Sequence, residues 1–117
     1  MTDTVLIFDG QQLAASGNAG DEQTSDEFSV LDDEELKIQI IGDGASTTLD
    51  GKLLGRCNPD KNTFGEYKDV FSGEDISTYD NDSKIFEVDV RGLSAVKLNL
   101  VNSGGASTTI DATGGSD

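Results

Sequence analysis

The sequence predicts an all-β protein, an antiparallel β-sandwich or jelly-roll-like barrel of about seven or eight short strands. Three observations predict it. Apolar and polar side chains alternate at period two in several segments, most clearly at Phe86, Val88, Val90 and again at Val96, Leu98, Leu100. Turn-forming Gly, Asn, Asp and Ser recur at intervals of roughly 8–12 residues. No stretch carries the 3.6-residue period of the helices that parallel strands need as crossovers.

Val5 to Phe8 opens the chain as a β-branched and aromatic strand, closed by a turn at Asp9-Gly10. Gln11 to Gln23 is rich in Gly, Ala, Ser and Asn and reads as a long loop, with room for a short strand at Leu13, Ala14 and Ala15. Phe28 and Val30 mark a second strand, and Asp32-Asp33-Glu34-Glu35 an acidic turn. Leu36, Ile38 and Ile40 form a half-buried strand that Gly42-Asp43-Gly44 ends with hairpin chemistry. Thr47 to Leu54 follows, with Gly51 as a bend or bulge. Gly55 to Asn62, which holds the only proline, is a turn.

Phe64 to Phe71 is the next strand, and Ser72-Gly73-Glu74-Asp75 turns out of it. Ile76 to Tyr79 is a short extended piece before a turn at Asp80-Asn81-Asp82. Phe86 to Val90 and Val96 to Leu100 are strands separated by a turn at Gly92. Asn102-Ser103-Gly104-Gly105 reads as a second hairpin turn, and Ser107 to Thr113 as the terminal strand. Residues 1–117 are expected to form one domain, with loop 11–23 and a frayed tail 113–117. The expected core comprises Val5, Ile7, Phe28, Val30, Leu36, Ile38, Ile40, Leu49, Leu53, Tyr67, Phe71, Phe86, Val88, Val90, Val96, Leu98, Leu100 and Ile110.

Composition narrows the function. The net charge is -15, from 23 acids against 8 bases. Such a field repels phosphate backbones and anionic lipid, so neither nucleic acid nor membrane is an expected partner. It exceeds the roughly 2–8 units that suffice for solubility and fits life in concentrated salt, where screening removes the self-repulsion. The chain has no His and one Cys, Cys57, which removes His-based acid–base catalysis, Ser-His-Asp and Cys-His nucleophiles, and His/Cys zinc sites. Cys57 is expected as a small semi-buried residue. The apolar runs are too short to span a bilayer, and Met1-Thr2-Asp3-Thr4 has no positive n-region, so no export signal is expected.

The residue patterns that could carry chemistry are few. Asp80-Asn81-Asp82-Ser83 offers alternating oxygens, which makes Asp80 and Asp82 the metal candidates. Lys84 and Ile85 stand where a calcium loop needs an oxygen ligand and Gly, so solvated Asx-turns are the expected role, as for Asn58, Asp60 and Asn62. No catalytic residue, metal or cofactor is expected. Gly42-Asp43-Gly44 and Ser103-Gly104-Gly105 precede no helix and so cradle no phosphate. Tyr67 and Tyr79, with Phe64, could form an aromatic sugar platform, and core or interface anchoring is the competing role.

The string FEVDVRGLSAVKLNLVNSGGASTT, Phe86 to Thr109, resembles the closing meander of small β-sandwich virion proteins of tailed viruses. In these head-decoration, turret and tail-associated modules an x-V-x-V-x-G strand end leads to a V-x-L-x-L strand and a Gly/Ser-rich turn. Leu36 to Arg56 is similar in style. With the acid excess, the resemblance is to a structural protein of a virus of haloarchaea. It implies a non-catalytic role in the virion after assembly in the host cytoplasm. The implied partners are copies of the chain, as a trimer or pentamer, and other capsid or tail proteins. The pattern is also similar to carbohydrate-binding sandwiches, so a cell-surface glycan-binding module is the alternative expectation.

Overall fold

Nine strands build two antiparallel sheets in the computed structural model, which describes residues 3–44, 47–76 and 83–116. The strands are β1 (Asp3–Leu13), β2 (Glu22–Thr24), β3 (Phe28–Ser29), β4 (Glu35–Gly44), β5 (Thr47–Arg56), β6 (Gly65–Ile76), β7 (Ser83–Asp89), β8 (Ala95–Asn102) and β9 (Thr108–Ser116). The first sheet has the order β1-β9-β4-β7 and the second β2-β8-β5-β6, with β3 also on β8. The gap between β2 and β3 is bridged by Ser25. Its N–H donates to Leu98 O and its Oγ accepts from the Leu98 N–H. Counting β2 and β3 as one interrupted strand gives eight, and the two sheet orders are those of a jelly roll.

Apart from β2–β3, only β5 and β6 are joined within a sheet; every other connection crosses between layers. Neither hairpin expected at Gly42-Asp43-Gly44 and at Asn102–Gly105 forms. Gly42, Asp43 and Gly44 are the end of β4 and pair with Ile110, Thr109 and Thr108 of β9. β4 and β5 lie in different sheets, and so do β8 and β9, so the chain passes between layers after Gly44 and after Asn102.

Alternation places the core where it was expected on the central strands. Leu36, Ile38, Ile40, Leu49, Leu53, Val96, Leu98, Leu100 and Ile110 are fully buried. The flank at β1 differs. The expected turn at Asp9-Gly10 is a bulged stretch of one continuous strand, with Gly10 at φ 63 and its N–H on Asp111 Oδ1 at 2.7 Å. Two register shifts there carry Phe8 and then Leu13 inward, while Val5 and Ile7 are half-buried. Residues 11–13, expected in a loop, belong to β1. Ile76, Leu93, Ala95 and Ala112 complete the core, and Phe28 and Phe86 only partly enter it.

The expected turn at Ser72–Asp75 is likewise strand. β6 carries an extra residue at each of three register shifts against β5. At one of them Gly73, φ 62, donates its N–H to Asp50 Oδ1 at 2.7 Å. Within the tail expected to fray, residues 113–116 belong to β9, and Gly114, Gly115 and Ser116 pair with β1 on one side and β4 on the other; Asp117 lies outside the described residues. Gly114 is closely packed there: a Cβ would lie 3.0 Å from Val5 Cγ1 and 3.2 Å from Ile7 Cδ1, so these side chains would have to shift to admit one.

Candidate functional site

One end of the sandwich carries a groove of about 790 Å³. Its walls come from the end of β1 (Gln11, Gln12, Leu13), the loop that follows (Ala14, Ala19, Gly20), Gln23 of β2, Asp43 of β4, and residues 106–109 leading into β9. Gln12 and Thr109 face each other across the β1–β9 ladder. Leu13 and Thr108 form the floor, both buried.

The frame around this groove is fixed by Asn102, which is fully buried. Its Nδ2 donates to Ala106 O at 2.7 Å and Leu13 O at 3.5 Å; its Oδ1 accepts from Thr47 Oγ1 at 2.9 Å and Gly104 N at 3.0 Å. Ser16 N donates to Gly104 O, Ala14 N to Gly20 O, and Thr108 Oγ1 to Asp43 O. Loop and strand ends are thus tied together before any ligand arrives.

Sequence reasoning did not single out the groove residues, yet a trace of them lies in the spacing of charges. Residues 10–20 and 98–110 are the two longest stretches without a charged side chain, and no other such interval exceeds six residues. They lie far apart in the chain, and the fold brings them to the same end of the sandwich. Among the described residues, Asp43 is the one charged side chain in the wall.

A second depression, of about 260 Å³, lies on the outer face of the second sheet and is lined by Asp50, Lys52, Asp69, Ser72 and Asn99 among others. Asn99 Nδ2 donates to Glu22 Oε2 and Thr24 Oγ1, both at 2.9 Å, and its buried Oδ1 has no partner among the described residues. Lys52 Nζ bonds Glu66 Oε1 at 2.6 Å, which raises the lysine and lowers the glutamate relative to their usual pKa values.

Of the expected site residues, Tyr67 and Phe64 lie among the described residues. Tyr67 lies on β6 beside Glu66, Lys68 and Asp69 and is 36% exposed. Its hydroxyl donates to Asp89 O at 2.7 Å and Lys68 Nζ sits 5.5 Å from its ring centre. Phe64 lies between Arg56 and Lys97, at 5.0 and 4.6 Å. Tyr79, Asp80 and Asp82 lie outside the described residues. Asp60 N donates to Asn58 Oδ1 at 2.9 Å, as an Asx-turn does. Cys57, expected semi-buried, is exposed because it leaves β5 into the β5–β6 loop. Among the described residues no three or more Asp, Glu or Cys side chains converge as a metal site, and no helix is long and apolar enough to cross a membrane.

No family model matches the sequence, and no curated sequence is similar to it. Solved structures are similar in fold. VP2 in the subviral particle of infectious bursal disease virus superposes with a TM-score of 0.70 at 15% identity, over 99% of this chain and 32% of VP2. The SPBc2 prophage-derived protein YomS gives 0.53 at 17% identity, over 99% of this chain and 92% of that one. The CBM22-1–GH10 modules of Clostridium thermocellum xylanase 10B, complexed with xylohexaose, give 0.52 at 13% identity, over 97% of this chain and 24% of that one. The chain spans about a third of the length of the capsid protein. At these identities the shared property is the fold, a two-sheet antiparallel sandwich in each case.

Proposed function

We propose that this chain is a non-catalytic structural protein of a virion. The carrying observation is the pair of sheet orders, β1-β9-β4-β7 and β2-β8-β5-β6, together with the likeness of nearly the whole chain to a viral capsid protein. In this reading the protein is a capsid-decoration, turret or tail-associated module of a virus of concentrated brine, assembled in the host cytoplasm. It works as a trimer or pentamer docked on other capsid or tail proteins.

The subunit contact is assigned to the outer face of the first sheet. Leu6, Thr113, Gln39 and Ile85 stand in one row across its four strands. Leu6 and Ile85 are 61% and 62% exposed, and Ile41 adds a third exposed aliphatic chain on β4. Exposed apolar side chains grouped on one sheet face favour association over solvation.

Light scattering on the chain in about 1 M salt, where the Debye length is near 3 Å, tests the reading. A closed oligomer that Leu6→Lys with Ile85→Lys converts to monomer is the expected result. A strictly monomeric chain that also fails to sediment with virions overturns it.

A further inference from the structure

We propose that the end groove is a binding site for an uncharged oligosaccharide. The proposal stands on the juxtaposition of the two uncharged stretches, 10–20 and 98–110, in one preformed concavity of a molecule with net charge -15. It goes beyond the structural role and does not depend on it.

The lining dictates the ligand class. Gln11, Gln12, Gln23, Ser107 and Thr109 present amides and hydroxyls, each of which donates and accepts. Sugar hydroxyls have the same dual character and match such a wall without any charge. The Gln11 amide donates to Gln12 O, whereas the side chains of Gln12 and Gln23 have no hydrogen-bond partner among the described residues and are free for a ligand. An anionic ligand finds no cation among the described residues of the groove and meets the field of the whole protein. A cation finds one carboxylate, Asp43.

A second protein copy is the rival occupant, and the lining disfavours it. The groove's apolar members are Leu13, which is fully buried, and alanines. Protein interfaces anchor on large exposed apolar or aromatic side chains, and here Leu6, Ile41 and Ile85 stand on the outer face of the first sheet while Leu31 and Tyr67 lie elsewhere, none of them in the groove. The volume, about 790 Å³, lies in the range of small-molecule sites and leaves room for more than one sugar ring. The Asn102 network holds the walls in place, so little ordering is required on binding.

The test is an amide-resolved NMR titration of the full chain in about 1 M salt. The probes are four uncharged trisaccharides (xylotriose, cellotriose, maltotriose and mannotriose) with trigalacturonate as the charged control. At least one neutral probe is expected to shift resonances of residues 11–14, Gln23 and 106–109, while trigalacturonate shifts none. Gln12→Ala combined with Gln23→Ala is expected to weaken binding about tenfold or more, the loss of hydrogen bonds from two side chains. Gln12 is exposed, so Gln12→Ala alone keeps the fold and weakens binding to a lesser degree. Tyr67→Phe leaves binding unchanged.

The site is overturned if no neutral probe shifts the groove at tens of millimolar. It is equally overturned if the shifts map to the outer face of β5 and β6. Groove substitutions that change the oligomeric state and leave saccharide binding intact would assign the groove to a subunit contact instead.

Discussion

Asn102 spends all the hydrogen-bonding capacity of its amide inside the protein, on Leu13, Ala106, Thr47 and Gly104. Asn102→Ala strips the partner from a buried hydroxyl, a backbone N–H and two carbonyls at once. We expect it to lower the unfolding free energy by about 3 kcal/mol, read from urea midpoints at constant slope. The exposed pair Asp89–Arg91 acts on a different scale. The Arg91 guanidinium, at 2.6 Å, and then the Arg91 N–H, at 3.0 Å, hold the Asp89 carboxyl down at about 2 from an ordinary 3.8. A folded-state pKa below the unfolded one stabilises the protein above about pH 4. That contribution fades as the pH falls through about 2. Carboxyl NMR should place the Asp89 midpoint near 2, and Arg91→Gln, which removes the guanidinium and keeps the backbone N–H, should return it part of the way to 3.8.

Among the elements, β9 is the one whose importance is easiest to misjudge. It lies between β1 and β4, so its last residues carry two ladders. Deleting residues 113–117 is therefore expected to abolish the cooperative thermal transition, whereas removal of a frayed tail would leave it untouched. Gly114-Gly115 looks like a loose end because glycine packs nothing and orders at an entropic cost. In the fold, the side chains of Val5, Ile7 and Leu36 occupy the space beside Gly114. The same limit governs the rest of what the sequence could disclose. Leu36, Ile38, Ile40 and Val96, Leu98, Leu100 were legible because period-two alternation is a property of each strand alone. Pairing was not, since Gly42-Asp43-Gly44 has turn chemistry in the sequence, yet all three residues continue β4 and pair with β9. Nor were the β1 bulges, where Gly10 imitates a turn and Leu13 resumes the core after a shift in register. The groove is less legible still: Gln12 and Thr109 are register partners 97 positions apart, and only the jelly-roll topology brings them together.

At the scale of the whole molecule, the charge balance sets the conditions under which the sandwich can hold. Five of the eight bases sit in ion pairs among the described residues: Lys37, Lys52, Arg56, Lys84 and Arg91. Eight bases cannot balance 23 acids, so most of the acidic charge is not neutralised by the protein itself. Their mutual repulsion is present in dilute buffer and is largely gone when the Debye length shrinks from about 10 Å at 0.1 M salt to about 3 Å at 1 M. We therefore expect the melting temperature to rise on the order of 10 °C over that interval, a shift that corresponds to a few kcal/mol for a domain of this size. An ordinary acidic protein with balanced local pairing would show a nearly flat curve. The acidic turn separates charge screening from a general salting-out effect on apolar burial. Asp33→Asn, Glu34→Gln and Glu35→Gln together remove three charges from one tip without touching a core side chain. If repulsion is the cause, the triple variant melts higher than the parent in dilute buffer and the two converge near 1 M. Parallel curves at all salt concentrations would assign the salt dependence to burial of the apolar core, and the brine-adapted reading of the charge would fall.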